Sequence, residues 1–248
     1  MNVTTDRMRA LVIVPTYNER ATIAEVARRL FEAAGESVEL MIVDDGSPDG
    51  TAEVVKQLAA GLPNRIHLIE RPTKLGLCSA YLTAFAWALE RGYDAVVEMD
   101  ADLSHDPRDV PRLLAALEEA DLAIGSRYVP GGGTRNWGRF RHLLSRSANV
   151  YARALLGFAV ADSTAGFRAY RTGWLATQDL STITSEGYAF QIEMTRRVHL
   201  SGGRIDEVPI TFVERTEGRS KMSRRIVFEA LWAVARWGVT DRWTKKSS

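Results

Sequence analysis

Short apolar runs alternate with amphipathic stretches through the first half of the chain. Residues 11–14 form an unbroken apolar run halted at Pro15, and Ile23, Val26, Ala27 and Leu30 follow at helical spacing. Thr22, three residues ahead of Glu25, reads as a capping box opening that helix. Residues 38–43, 66–69, 95–99 and 122–125 read as further buried strands, with helices over 52–60 and 76–91 between them. Asp106-Pro107 offers a cap followed by a proline at the first position of another helix. Such alternation predicts a doubly wound α/β architecture: a mostly parallel sheet with helices on both faces, joined by right-handed crossovers. There are no internal repeats and no low-complexity tracts.

Three of these strands end in acids. Glu19 lies just beyond the first, Asp44 and Asp45 close the second, and Asp100 and Asp102 follow the fourth. In a parallel sheet these ends share one edge, where ligands of open α/β folds collect. Half-buried carboxylates gathered there repel one another unless a cation or hydrogen-bond donors offset them. Asp100-Ala101-Asp102 suits a Mg²⁺ or Mn²⁺ ion carried on a nucleotide diphosphate, because hard cations take carboxylate oxygens while phosphates and water complete the shell. A plainer reading stands beside this one. Asp-x-Asp pairs are common in solvated turns, Asp44-Asp45-Gly46-Ser47 fits a turn whose side chains cap the next helix, and Glu19 fits a first-turn acid.

Composition narrows the class without choosing it. Of 248 residues 46% are hydrophobic and 25% charged, ordinary for a soluble globular protein. No run approaches the roughly 18 apolar residues that span a bilayer, and the N-terminus lacks an apolar signal region, so a cytoplasmic protein is expected. The single cysteine, Cys78, excludes an internal disulfide and reads as a small core residue. The net charge is only +1, but its distribution is lopsided: from Arg127 to Arg171 eight arginines face one acid, Asp162, and from Arg215 to Ser248 nine basic residues face three acids. Gly131-Gly132-Gly133 adds a loop where backbone and guanidinium groups can approach an anion, which favours phosphate as the partner of the first basic segment. Neither segment has an aromatic-interleaved or helix-turn-helix pattern, so nucleic acid is not an expected partner. Ile226, Val227, Ala230, Leu231 and Val234 fall at helical spacing, with Trp232, Trp237 and Trp243 among Arg224, Arg225, Arg236, Lys245 and Lys246. That amphipathic basic helix fits either an anionic lipid surface or packing on its own domain.

Several motifs together carry a family resemblance. They are Pro15-Thr16-Tyr17-Asn18-Glu19, Val43-Asp44-Asp45-Gly46-Ser47-Pro48-Asp49-Gly50-Thr51, Met99-Asp100-Ala101-Asp102-Leu103-Ser104-His105, Gly125-Ser126-Arg127-Tyr128, Asp162-Ser163-Thr164-Ala165-Gly166-Phe167-Arg168 and Gly187-Tyr188-Ala189-Phe190-Gln191. With Arg141, Ser145, Arg215 and Lys221, they make the chain similar to the family 2 glycosyltransferases of GT-A fold and, among these, to the polyprenol (dolichol) phosphate mannose synthases. The resemblance implies one glycosyltransferase domain over 1–248, with a nucleotide-binding half at about 10–126, an acceptor-side half at about 127–222, and an amphipathic basic helix and tail at 223–248. It implies that Pro15, Tyr17, Glu19, Asp44, Asp45 and Lys74 hold the donor, that Asp100 and Asp102 hold its Mg²⁺ or Mn²⁺, and that Arg215 and Lys221 clamp the donor phosphates. Arg127, Arg141 and Ser145 match positions that meet the acceptor phosphate, and Asp102, Arg127 and Arg141 match those that carry catalysis.

The implied reaction moves mannose from GDP-mannose to a polyprenyl monophosphate, at the cytoplasmic face of a membrane that the enzyme contacts peripherally, with a membrane-embedded protein as a conceivable partner. The chain departs from the family pattern in two places: Ser104 stands where some members place glutamine, and Cys78-Ser79 where Gly-Thr is usual. Other classes remain open on the residues alone. A phospho-receiver domain also uses a strand-end Asp pair, a nucleotidylyltransferase would show a Gly-rich basic loop after its first strand, and UDP-glucose is an alternative donor.

Overall fold

The computed structural model describes residues 8–214 and the helical segment 224–244, the side chains of 224–227 and 242–244 excepted. An interior strand of its sheet is β1 (Ala10–Thr16), whose residues from Ala10 to Val14 are fully buried, as a strand covered on both faces requires. In parallel with it run β2 (Val38–Asp44) on one side and β4 (Ala95–Glu98) on the other, and β3 (Ile66–Glu70) extends β2. The first three connections carry α1 (Ile23–Ala33), α2 (Thr51–Gly61) and α3 (Leu77–Glu90). After β4, a 3₁₀ turn capped by the Asp106 side chain leads through Pro107 into α4 (Val110–Ala116) and β5 (Leu122–Ser126).

The second half completes the same sheet. β6 (Gly133–Arg135) and α5 (Arg139–Leu156) precede β7 (Arg168–Arg171), α6 (Thr172–Leu175) and α7 (Gly187–Leu200). β8 (Ile205–Pro209), β9 (Thr211–Val213) and α8 (Arg224–Thr244) follow. The seven-stranded order is β3-β2-β1-β4-β7-β5-β8, and β6 pairs with β9 in a separate two-stranded ladder. All neighbours in the large sheet are parallel except β7, which is antiparallel to both β4 and β5. One apolar layer lies under α3, α5, α7 and α8, the other under α1, α2 and α4. The expected α/β class therefore holds, with one reversed strand.

Local expectations fail in three places, each for a physical reason. Pro15 does not halt β1, which runs on to Thr16. Ile13 accepts from Met99 on the β4 side and Thr16 from Asp45 on the β2 side, so Pro15 turns its missing N–H toward β4 beyond that strand's end. Thr22 forms no side-chain cap, because its hydroxyl donates to the Glu19 carbonyl at 3.1 Å and Glu25 pairs instead with Arg28 and Arg29. The glycine triad offers no anion nest: the amides of Gly132 and Gly133 donate to the carbonyls of Val129 and Ile210. Glycine is needed at 132 because a Cβ there would stand 2.5 Å from the Ser126 carbonyl oxygen. Gly132→Ala should lower stability by about 2 kcal/mol, read as a melting temperature several degrees lower; an unchanged melting temperature would contradict the crowding.

In α8, Ala230, Val234 and Trp237 are buried against the domain, while Phe228 and Trp232 remain 71% and 72% exposed. Of the apolar stripe read from the sequence, Ala230 and Val234 pack inward, Leu231 is half-buried and the side chains of Ile226 and Val227 lie outside the described residues, while Phe228 and Trp232 look outward. Among the described residues no helix is long and apolar enough to cross a membrane.

A buried polar knot joins these layers beneath the sheet edge. Arg168 is 0% exposed, and its guanidinium donates to the carbonyls of Ser163, Ala165 and Gln191 and to the Thr195 hydroxyl at 2.6–2.9 Å. Directly opposite in register is Glu98, which accepts from the Gln191 side chain at 2.7 Å. Burial pushes the Glu98 carboxyl up to about 7, against the lowering influence of Arg168. The knot fastens the loop preceding β7 and the helix α7 to the strand whose end carries Asp100.

Candidate active site

A cleft of about 410 Å³ opens along the carboxyl ends of β1, β2 and β4, where the sheet topology directs ligands. On its first wall are Pro15, Tyr17, Glu19, Asp45 and Lys74. The two neighbouring aspartates at the end of β2 part company there. Asp44 is buried beneath the cleft, accepting from the Thr16 hydroxyl at 2.7 Å and from the Ser47 amide and hydroxyl at 2.8 and 2.6 Å. It holds the turn, as the plainer reading of that motif expects, and does not line the cleft. Asp45 faces the cleft and pairs with the Arg71 guanidinium. Arg71 continues to the Ser79 hydroxyl at 2.7 Å and the Gly76 carbonyl at 3.0 Å, which fixes this loop. Lys74 places its ammonium 4.2 Å from the centre of the Tyr17 ring.

Asp100 and Asp102 form the floor. Between them and α4 the chain turns sharply, with Leu103 at φ +60°, a conformation that costs an L residue of this kind about 1–2 kcal/mol. The Ser104 amide donates to Asp102 at 3.0 Å, and the Asp100 amide donates to His105 Nδ1 at 3.2 Å. His105 is buried and stacked on Phe167 at 5.0 Å between centroids; burial keeps its pKa low, so it serves the turn as a neutral acceptor. Among the described residues no three His, Cys, Asp or Glu side chains gather as a metal cage. Two cleft-facing carboxylates one residue apart instead match the donor set of a cation that takes its remaining oxygens from a phosphate ligand and water.

The opposite wall is basic. Arg127 is buried and donates from Nε and Nη2 to Asp162 at 2.7 and 2.6 Å, and from Nη2 to the Thr164 hydroxyl at 3.0 Å. This forked pair fixes the arginine's plane at the rim of the cleft. Burial alone would raise the Asp162 carboxyl, but the Arg127 charge and hydrogen bonds hold it below the usual carboxylate range. Arg141, on α5, packs 4.4 Å from the Trp137 ring centre and pairs with Glu214. Beside it a narrow apolar cavity of about 50 Å³ runs between α5, α7 and α8, lined by Leu144, Ala148, Ile192 and Val234. Arg141, Thr164 and Tyr188 line both spaces. Ser145 lies in the apolar cavity rather than in the main cleft.

Nine of the residues singled out from the sequence therefore share one cleft: Pro15, Tyr17, Glu19, Asp45, Lys74, Asp100, Asp102, Arg127 and Arg141. Arg215 and Lys221 lie outside the described residues. Sequence reading missed Asp162 as the partner of Arg127, although its being the single acid among eight arginines was a signal. It also missed Glu186 and Glu214, which reach the cleft only through tertiary contacts, and it gave no role to His105 and Gln191, although both stand in the motifs it singled out.

Known proteins resemble the chain in sequence and in fold. The model of glycosyl transferase family 2 matches residues 11–177. The chain is 51% identical over 235 residues to the polyprenol monophosphomannose synthase of Mycolicibacterium smegmatis, covering 94% of this chain and 88% of that one. It is equally 51% identical over 236 residues to the undecaprenyl-phosphate mannosyltransferase of Micrococcus luteus, covering 95% and 96% respectively. Among solved structures, glucosyl-3-phosphoglycerate synthase from Mycobacterium tuberculosis, in complex with Mn²⁺, UDP-glucose and phosphoglyceric acid, superposes with a TM-score of 0.65 at 23% identity, covering 92% of this chain and 80% of that one. The chain belongs to glycosyl transferase family 2 and is a glycosyltransferase.

Proposed function

We propose, with family 2 membership as the premise, that the chain transfers mannose from GDP-mannose to a polyprenyl, dolichyl-type monophosphate, giving polyprenyl phosphate mannose and GDP. The observation that carries this reading is the meeting of opposite charges in one cleft: Asp100 and Asp102 on the floor, Arg127 and Arg141 on the wall, and an apolar cavity opening beside Arg141. A lipid phosphate needs that combination, a cationic place for its head and an apolar one for its first carbons. The two relatives named for polyprenyl acceptors, at 51% identity, support the same choice.

A lipid monophosphate has a second pKa of about 6 and is largely dianionic at neutral pH, so it attacks without giving a proton to the enzyme. The reaction accordingly requires no general base, and the acceptor wall presents Arg127 and Arg141. Arg141 draws in the phosphate, and Arg127, whose charge Asp162 balances, lines the same cleft with its guanidinium plane fixed by that pair. Pro15, Tyr17, Glu19, Asp45 and Lys74 seat the nucleoside end of the donor. Arg215 and Lys221 are assigned to the donor phosphates. A divalent cation, Mg²⁺ or Mn²⁺, held by Asp100 and Asp102 would offset the charge that develops on the departing diphosphate. In one displacement a phosphate oxygen bonds to the anomeric carbon from the face opposite the leaving group. The bond from that carbon to the diphosphate breaks, its electron pair leaves with GDP, and the configuration inverts.

The outward face of α8 (Phe228, Trp232 and Val239) and that of α5 (Phe140, Leu143 and Val150, interleaved with Arg139, Arg146 and Arg153) suit peripheral contact with anionic headgroups at the cytoplasmic face. Purified protein incubated with GDP-[¹⁴C]mannose, polyprenyl phosphate and Mn²⁺ or Mg²⁺ should yield label in an organic-soluble product of inverted configuration. UDP-[¹⁴C]glucose should yield none. Equal labelling from UDP-glucose, or no transfer from GDP-mannose, would overturn the donor assignment.

A further inference from the structure

We infer that Glu186 receives hydroxyl groups of the donor's sugar and so selects which hexose the cleft accepts, an inference that rests on the nucleotide-sugar reading above. If the donor diphosphate lies at Asp100 and Asp102 and the acceptor phosphate at Arg141, the hexose must occupy the space between them. The start of α7 lines the same cleft from the Gly76 side, where Glu186 lies, to the cavity beside Arg141, which Tyr188 also lines.

Glu186 differs from two of the other cleft acids, Asp45 and Glu214. Asp45 is paired with Arg71 and Glu214 with Arg141, whereas among the described residues no Lys or Arg makes an ion pair with Glu186. Its carboxylate lies flat on Gly76: a Cβ at that glycine would stand 3.1 Å from one carboxylate oxygen and 3.2 Å from the other. Any side chain at 76 would displace it, and Gly76 also adopts φ +98°, which glycine alone takes without strain. The Cys78 amide donates to the same carboxylate at the start of α3, where the helix end favours negative charge. Arg71 holds this turn through the Gly76 carbonyl and Ser79 hydroxyl while pairing with Asp45. Glu186 is thereby set in fixed register with the nucleoside end of the cleft.

A carboxylate held in place, open to the cleft and, among the described residues, in no ion pair, with Arg71 acting on it only through space, is a strong acceptor for adjacent sugar hydroxyls. A site built to bond a hydroxyl discriminates sharply against ligands that misplace it. Glu186 is a specificity-determining residue on this account, and it takes no part in bond making or breaking.

The test compares GDP-mannose with GDP, which lacks the sugar, using the full-length protein with Mn²⁺. In Glu186→Gln the KM for GDP-mannose should rise about 10-fold, and in Glu186→Ala kcat/KM should fall about 100-fold, the range of one charged hydrogen bond. The inhibition constant of GDP should stay within about 2-fold of the wild-type value in both, on the same ground that GDP makes no sugar contact. A GDP-deoxymannose lacking the contacted hydroxyl should be a worse donor than GDP-mannose for wild type, and equal to it for Glu186→Ala. Wild-type kinetics in both variants, or equal weakening of GDP and GDP-mannose, would overturn the inference alone. A wild-type protein inert toward every nucleotide sugar would overturn the premise as well.

Discussion

Asp102→Asn is expected to slow mannose transfer by on the order of 10³, equivalent to about 4 kcal/mol of lost transition-state stabilisation, while leaving the melting temperature nearly unchanged. Asp102 is half-buried at the cleft floor, and its Oδ1 accepts the Ser104 amide at 3.0 Å. Asparagine keeps that acceptor and so preserves the turn through Leu103. What it removes is one negative charge from a pair with which, among the described residues, no third carboxylate gathers as a metal cage. The cation would then be held by Asp100 alone, and charge developing on the diphosphate would be poorly offset. Initial rates of label transfer at saturating Mn²⁺, together with a thermal melt, make the comparison. A variant that melts normally and transfers within about three-fold of wild type would remove Asp102 from the chemistry.

The second large effect concerns stability. Asp162→Asn leaves the Arg127 guanidinium buried without a counter-charge, and breaking a buried pair from one side costs about 3–5 kcal/mol. For a chain of this size that corresponds to a melting temperature lower by about 10 °C at pH 7. The pH dependence has a definite sign. Arg127 holds the folded Asp162 carboxyl below its unfolded value despite burial, so the pair's contribution is fully present above the unfolded pKa of about 4 and is lost as pH falls through the folded one. Differential scanning calorimetry should therefore find a wide gap between wild type and variant at pH 7 that closes below about pH 4. Identical melting temperatures at pH 7 would deny the pair its structural role.

Much of the fold was legible because β1, β2 and β4 are covered on both faces, and burial of both faces forces nearly every residue to be apolar. β7 was illegible for the opposite reason. It begins with Arg168, whose charge is buried among carbonyls and faced by Glu98 across the strands, and no periodicity signals a buried arginine. β6 and β9 are three residues each and exist only through their mutual pairing. At the site, acids ending an apolar run could be read directly, but adjacent residues on a strand point to opposite faces. Sequence could not say that Asp44 turns down toward Thr16 and Ser47 while Asp45 turns into the cleft. Pairs such as Arg127 with Asp162 and Arg141 with Glu214, 35 and 73 residues apart, are tertiary facts. The capping box at Thr22 misled because Glu25 had two better partners one turn away.

The account turns on one cleft holding the cation with the donor's diphosphate on its floor and the acceptor's phosphate against its arginines. Anomalous diffraction at the manganese edge, from crystals grown with Mn²⁺ and GDP, tests this most directly. The account predicts a single strong peak bridging the carboxylates of Asp100 and Asp102 and the diphosphate, with the guanosine toward Pro15, Tyr17 and Glu19 and the arginine wall left open. A metal peak away from both aspartates, or GDP lodged outside the cleft, would contradict it.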